Sequence, residues 1–550
     1  MNGIPIRRSR LAILSFAVIV GLLYSFSSPS SSGYPSPSNP YGKIQYDFPP
    51  GKGGDRARAM EVKGMYMRHL ELYNKRAWGH DEVLPETGEP ANSRNGWGAT
   101  IVDSIDTCLL MGLIPEALRS IEHTLKVDFT KTHENGRVDP FETIIRYVGG
   151  LLSAHDLLPT ASLPRGKVKD LQKGLLRQAK ILADQIGPGF GSPTGMLYPG
   201  VDFAQKKGHI EDRGTRSGAV AGDIANIGTN WLEYAKLSVL TGDDVYVRNA
   251  SRAWSLLVNP PPHSFGFERT GGLVATPVDI MSGRQMSDHM SWGAKSDSYY
   301  EYLIKAWLMA PKTPSTEQYR HAWTQAVHAA KVMLISQTNH KTNPKKFIGE
   351  WRFGNRDSTS EHLACFAGGN FMLGGKALGN QEYIDAGLEL IEGCRWVYEQ
   401  TSTKLGPEGW RWIATTDDNP KKPDKHAAKH QYSLWGFWAT NTRYHLRPEY
   451  VESLFYAYRI TGDVKYADWA WEVFESIREH CESEWGYSDI KDVTGYKGTR
   501  RLNNQESYFG AETLKYLYLI FADPRVGSLD EWVYNTEAHP LRIERRAIGE

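Results

Sequence analysis

With 550 residues, 40% of them hydrophobic and 11% aromatic, the chain can bury a large core, although length alone does not choose between one domain and several. Its 64 basic and 63 acidic residues nearly cancel, leaving +1, which excludes the charge footprint of a nucleic-acid binder. The four cysteines, Cys108, Cys365, Cys394 and Cys481, form no CxxC pair, which argues against zinc and thioredoxin-type sites.

The chain opens on "RRSR", Arg7 to Arg10, followed by the 16-residue apolar run Leu11 to Phe26. That run is long for a signal-peptide core and slightly short for a membrane span. The basic flank is expected to stay cytoplasmic and to send the rest into the secretory lumen. No small-x-small cleavage pattern follows, so residues 1–34 read as a cytoplasmic tail and signal anchor, with a cleaved signal peptide as the alternative. The Ser/Pro-rich stretch continuing through 35–54 reads as a stem. Asn249, in "NAS", is a glycosylation acceptor and suits a lumenal compartment.

From residue 55 to 550 no second linker interrupts the sequence, and one helical domain is expected. Ile101–Leu125, Asn230–Leu257, Leu363–Cys394 and Val451–His480 each spell a helix, a turn and a second helix, two of them with the turn "TGD". Recurring units of this kind build a solenoid or a closed α/α toroid. The irregular spacing and long connections favour a barrel of paired helices with loops converging on one end.

Acids interrupt the apolar stretches. Glu142 precedes Arg146 by four residues, so a helix would put both on one face. Asp297 opens an aromatic helix; Glu361 and His362 precede another; Glu449 follows Pro448, with Glu452 a turn later; Glu506 and Glu512 precede a last apolar run. A carboxylate in a helix's first turn is favoured by the dipole, which explains any one of them. Several such acids around one barrel cavity suit glycoside hydrolysis, in which one protonated acid assists the leaving oxygen and another carboxylate activates water. Near the end, "YNTEAHPL" (Tyr534 to Leu541) crowds Thr536, Glu537 and His539 together, either as a capped turn or as a segment that closes a site.

Seven segments in order, "NGWGATIVDSIDTCLLMGL", "FETIIRYVGGLLSA", "DSYYEYLIKAW", "EHLACFAGG", "LRPEYVES", "ESYFGAETLKYLYLIF" and "NTEAHPL", resemble the motif set of class I α-mannosidases, glycoside hydrolase family 47. The resemblance runs from about Asn95 to Leu541. It implies an all-α fold, an (α/α)7 barrel with short β elements in its connections. The implied activity is inverting hydrolysis of α-1,2-linked mannose from high-mannose N-glycans with the help of Ca2+. Thr536 matches the residue that binds the ion through its carbonyl and hydroxyl, the rest of the shell being largely water, as a hard cation permits. Glu142 and Asp297 match the candidates for acid catalysis, and Glu449 the base. Arg146, His362, Arg447, Glu452, Glu506 and Glu537 match positions lining the terminal mannose site, and Cys365 and Cys394 a disulfide. Inversion implies carboxyls roughly 6.5–9.5 Å apart, with water between.

Lys295 stands where family members often carry Arg or Leu, a position associated with the mannose branch accepted. It keeps the charge without the planar fork. The expected location is the endoplasmic reticulum or Golgi membrane, type II, or outside the cell if the leader is cleaved. The membrane is met only through the anchor, and no nucleic acid is bound. A mannosidase of another mannan and a mannose-binding quality-control lectin are the alternatives.

Overall fold

Helix character divides sharply along this chain. The computed structural model describes residues 42–132, 136–210, 218–260, 271–310, 312–417, 420–495 and 500–544. In chain order its longer helices are α1 (Arg56–Arg76), α2 (Ala99–Leu110), α3 (Ile114–Thr124), α4 (Gly149–Leu157), α5 (Arg165–Ile186), α6 (Trp231–Thr241), α7 (Val245–Val258), α8 (Asp297–Met309), α9 (Pro314–Met333), α10 (Ala367–Leu378), α11 (Gln381–Gln400), α12 (His426–Trp435), α13 (Glu449–Thr461), α14 (Lys465–Cys481) and α15 (Leu514–Phe521). Every residue from Ala99 to Leu109 is buried in α2, and every residue from Tyr450 to Ile460 in α13. A helix buried on all sides needs neighbours all round. By contrast α5 and α14 bury one stripe and expose the other face.

These two kinds pair off. Among the described residues α2 packs on α3, α4 on α5, α6 on α7, α8 on α9, α10 on α11, α13 on α14 and α15 on α1. The buried members also contact one another in the order α2, α4, α6, α8, α10, α13, α15, and a π-helical turn, Phe509–Thr513, closes the ring back onto α2. The result is the expected (α/α)7 barrel. The strands are short, two to five residues each among those described, and lie in the connections.

Local signals explain the hairpins. Gly242 and Gly462, in the two TGD turns, end α6 and α13 with φ of 72° and 71°, the left-handed cap that a side chain would resist. A disulfide joins Cys365, just before α10, to Cys394 in α11, whereas Cys108 and Cys481 are buried free thiols. Asn249 lies on α7.

The anchor run and most of the Ser/Pro stretch lie outside the described residues. Among the described ones no helix is long and apolar enough to cross a membrane. Within the stretch expected as a stem, 35–54, Ile44 and Gln45 are buried against the barrel. The Asp530 carboxylate accepts both of their backbone N–H groups, and Gln45 bonds Arg459 and the Pro524 carbonyl.

The segment around Thr536 forms a β-hairpin. Trp532–Tyr534 pairs antiparallel with Pro540–Arg542, Tyr534 opposite Pro540, and the strands pack on α8 and α4. Its tip, Asn535 to His539, enters the barrel.

Candidate active site

One wall is acidic and dry. Asp297 is the first residue of α8, and its Oδ1 accepts the Ser298 N–H at 2.8 Å. Burial, reinforced by the charges of Glu361, Glu301 and Glu449, pushes its carboxyl up to about 8. Glu361 Oε1 accepts the Ala294 N–H at 2.5 Å, and a Cβ on Gly293 would stand 2.5 Å from the same oxygen, so only glycine permits this approach. Lys295 precedes Asp297 with φ of 74°, its carbonyl accepting the Ala225 N–H and its ammonium 3.6 Å from Asp223.

A second wall holds its carboxylate charged. Pro448 starts α13 and places Glu449 in its first turn. His362 Nδ1 lies 2.7 Å from Glu449 Oε2, and Tyr398 Oη lies 2.5 Å from the other ring nitrogen. Arg447 stands 3.8 Å from Glu449 and donates from Nε to Glu408 at 2.7 Å. Burial alone would raise Glu449, but His362 and Arg447 outweigh it and hold the carboxyl below its ordinary value.

The third wall begins where Asp139 caps a single turn, Pro140–Glu142, accepting the Glu142 N–H at 3.2 Å. The chain then widens into a π-helical turn, Thr143–Val148, of the kind that often marks functional sites. Arg146 Nε donates to Glu142 at 2.7 Å, and its Nη1 reaches Glu537 and Ser507. Arg94 lies 3.3 Å from Glu142 and 3.2 Å from Glu506. Burial works against ionisation of Glu142, yet Arg146 and Arg94 prevail and keep it below the usual glutamate range.

The hairpin tip forms the floor. Asn535 Oδ1 accepts the N–H groups of Glu537 at 2.9 Å and His539 at 2.8 Å, while Nδ2 donates to the Ile145 carbonyl and to Glu233, each at 2.9 Å. His539 Nδ1 lies 2.6 Å and Lys515 Nζ 2.9 Å from the two oxygens of Asp106, and Lys515 also donates to the Ala538 carbonyl. Thr536 is half-buried, and its backbone N–H donates to the Tyr302 hydroxyl at 3.3 Å. Neither its Oγ1 nor its carbonyl takes a hydrogen bond among the described residues.

Around this tip the carboxylates outnumber their cations. Burial raises Glu452, with Glu301 adding to it, and raises Glu512, with Glu537 adding to it. Lys305 serves Glu301 at 2.5 Å and reaches Glu452 only at 3.8 Å. Among the described residues no group of three or more His, Cys, Asp or Glu is arranged to grip a metal directly. Two open oxygens on Thr536, ringed by under-compensated carboxylates, fit a hard cation held partly through water.

Every sequence-predicted site residue therefore belongs to one connected set: Asp297, Glu449, His362 and Arg447 on one side, Glu142, Arg146, Glu506 and Glu537 on the other, with Glu452 and Thr536 below. Arg94, Glu408, Tyr398, Asp103 (which accepts from the Ser507 hydroxyl and lies 3.8 Å from Arg146) and the Glu301–Lys305 pair join the site without having been expected there. Only the last had a signal, an i,i+4 spacing inside "EYLIK".

The geometry agrees with what the chain is similar to. The model of glycosyl hydrolase family 47 matches residues 65–543. A mannosyl-oligosaccharide alpha-1,2-mannosidase of Penicillium citrinum is 37% identical over 514 residues, covering 92% of this chain and 96% of that one. Another protein of that name, from Coccidioides posadasii, is 38% identical over 498 residues, 89% of this chain and 91% of its own. The solved alpha-1,2-mannosidase from Trichoderma reesei superposes with a TM-score of 0.83 at 36% identity, covering 90% of this chain and 100% of that one.

Proposed function

The chain belongs to glycosyl hydrolase family 47, and on that premise we propose that it is an inverting, Ca2+-dependent exo-α-1,2-mannosidase trimming high-mannose N-glycans in the secretory pathway. The observation that carries the reading is the contrast in surroundings of two carboxyls in one barrel, Asp297 buried among acidic neighbours and Glu449 2.7 Å from His362. Asp297 is pushed up to about 8, and Glu449 is held below its ordinary value. Such a split separates an acid from a base at neutral pH.

Asp297 keeps its proton and donates it to the leaving glycosidic oxygen. Glu449, charged, takes a proton from water attacking the opposite face of the terminal mannose, so the anomeric centre inverts. His362 and Arg447 orient the base. Glu142, kept ionised by Arg146 and Arg94, stabilises positive charge developing on the sugar ring. Arg146, Arg447, Glu452, Glu506 and Glu537 line the sugar and take its hydroxyls. Thr536 would hold Ca2+ through its two open oxygens, with Glu452, Glu512 and Glu537 reached through water. The ion would supply ligation of the sugar's hydroxyls.

The Cys365–Cys394 bridge supports an oxidising compartment, and the N-terminal apolar run supports anchorage in its membrane. Lys295 sits at the acid wall beside Asp297 and is assigned to branch choice.

The test follows hexose loss from a high-mannose N-glycan by mass spectrometry, with Ca2+, with a chelator, and with Glu449→Gln. Stepwise loss that needs both the ion and Glu449 supports the proposal. Glycan binding without release in every condition overturns it in favour of a lectin.

A further inference from the structure

The two-residue turn of one β-hairpin carries a residue that neither folding nor burial explains. Strands Glu350–Arg352 and Asn355–Asp357 pair in register, Arg352 opposite Asn355, leaving Phe353 and Gly354 as the turn. Both have positive φ, 54° and 74°, the conformation for which Asn, Asp or Gly is favoured at the first position. Phenylalanine is a poor choice there, because its Cβ crowds the backbone. Its ring is also 89% exposed, more than any other exposed large hydrophobic residue among those described. Single exposed apolar side chains are ordinary. One placed against its own turn preference on a braced hairpin is not accounted for by that.

The bracing is specific. Met290 and Trp351 exchange both backbone hydrogen bonds, at 3.0 and 2.8 Å. The Gly354 N–H donates to Asp288 at 2.6 Å, and Glu350 stands 3.2 Å from His289. Met290 leads in seven residues to Asp297, the acid, and Asp357 leads in five to His362, which orients the base. The hairpin thus stands between the segments that deliver the two halves of the catalytic apparatus, and its turn carries a flat apolar face into solvent.

Resting on the activity proposed above, we infer that Phe353 is a carbohydrate platform: its ring stacks on the C–H face of a mannose unit of the same glycan, beyond the two units joined by the cleaved bond. An aromatic face meets the apolar face of a sugar without needing to bury a polar atom. Its contribution is to hold the extended substrate, so it affects a branched oligosaccharide and not a disaccharide that ends at the cleavage site.

The experiment compares wild type with Phe353→Gly, Phe353→Ala and Phe353→Trp on a high-mannose N-glycan and on α-1,2-linked mannobiose. Glycine suits the left-handed turn, so a loss in that variant does not come from an unfolded hairpin. Expected is a rise in KM for the glycan of about three- to tenfold in the Gly and Ala variants, with kcat/KM on mannobiose unchanged and the Trp variant near wild type. Equal effects on both substrates, or none on either, overturn the inference. The same variants in a Glu449→Gln background are titrated with free glycan by calorimetry, which reads the platform even if no turnover occurs. Failure of wild type to cleave either substrate then counts against the activity alone, while an unchanged Kd counts against Phe353.

Discussion

Asp297 and Glu449 present the same functional group to one cavity and differ in what surrounds them. Asp297 has a backbone N–H and three acidic neighbours, and burial dominates; Glu449 has an imidazole and a guanidinium. The consequence for pH has a definite sign. A raised acid keeps its proton until the pH climbs to about 8, so activity falls as pH rises through that value. A depressed base stays charged down past the ordinary glutamate range, so the acidic limb lies below it. A kcat/KM profile is expected to show that broad plateau, and Asp297→Asn to remove the alkaline limb with most of the rate. Glu449→Gln is expected to lower kcat by about a hundred- to ten-thousandfold with little change in glycan KM. Lys295→Leu is expected to change which trimmed isomer accumulates, read by chromatography of the products, without abolishing release. At this scale the acids were legible because a carboxylate set just before an apolar helix stands out. Arg94 and Glu408 were not, because each comes from a loop whose route to the site depends on the whole fold.

Among the elements, the terminal hairpin is tied to α2 through a buried charge cluster. Asp106 is fully buried between Lys515 and His539, which outweigh its desolvation and hold it down to about 2. A depressed carboxyl stabilises the fold at pH values above the ordinary aspartate range, and that contribution fades only as pH falls through its folded value. Asp106→Asn leaves two buried cations short of an anion and is expected to cost about 3 kcal/mol, measured by denaturant unfolding at neutral pH. Removing the Cys365–Cys394 bridge, which spans a separation of 29 residues, is expected to cost about 3–4 kcal/mol by the chain-entropy relation, read as a lower unfolding midpoint. The helical hairpins were readable from their 3–4 periodicity and TGD stops. The strand character of "YNTEAHPL" was not, since Asn, Thr and Pro equally mark a capped turn, and its pairing is fixed by α4 and α8 on either side. The π-helical turns at Thr143–Val148 and Phe509–Thr513 leave no sequence signature, yet they carry Arg146 and Glu512 into the cavity.

Over the whole molecule, closure of the helical ring explains why so many charges can be buried. Inner helices meet neighbours on all sides, and their acids have only the cavity to face. The last segment then threads this cavity and brings Thr536 to its floor. Chain order alone hinted at a barrel, but ring closure joins α15 to α1, and the turn Phe509–Thr513 to α2, across roughly 400 residues, which no local pattern records. A cation held there should stabilise the folded state by mass action, about 2.7 kcal/mol at a hundredfold excess over its Kd. Calorimetric scans with Ca2+ and with chelator are expected to differ accordingly, and equal midpoints would count against Thr536 as a ligand. The central claim, that a protonated Asp297 and a charged Glu449 act as acid and base on opposite faces of one sugar, is tested most directly by proton NMR of the first mannose released from a high-mannose N-glycan. β-Mannose appearing first and mutarotating to the α form is the predicted result. α-Mannose appearing first would contradict the acid–base arrangement argued from this barrel.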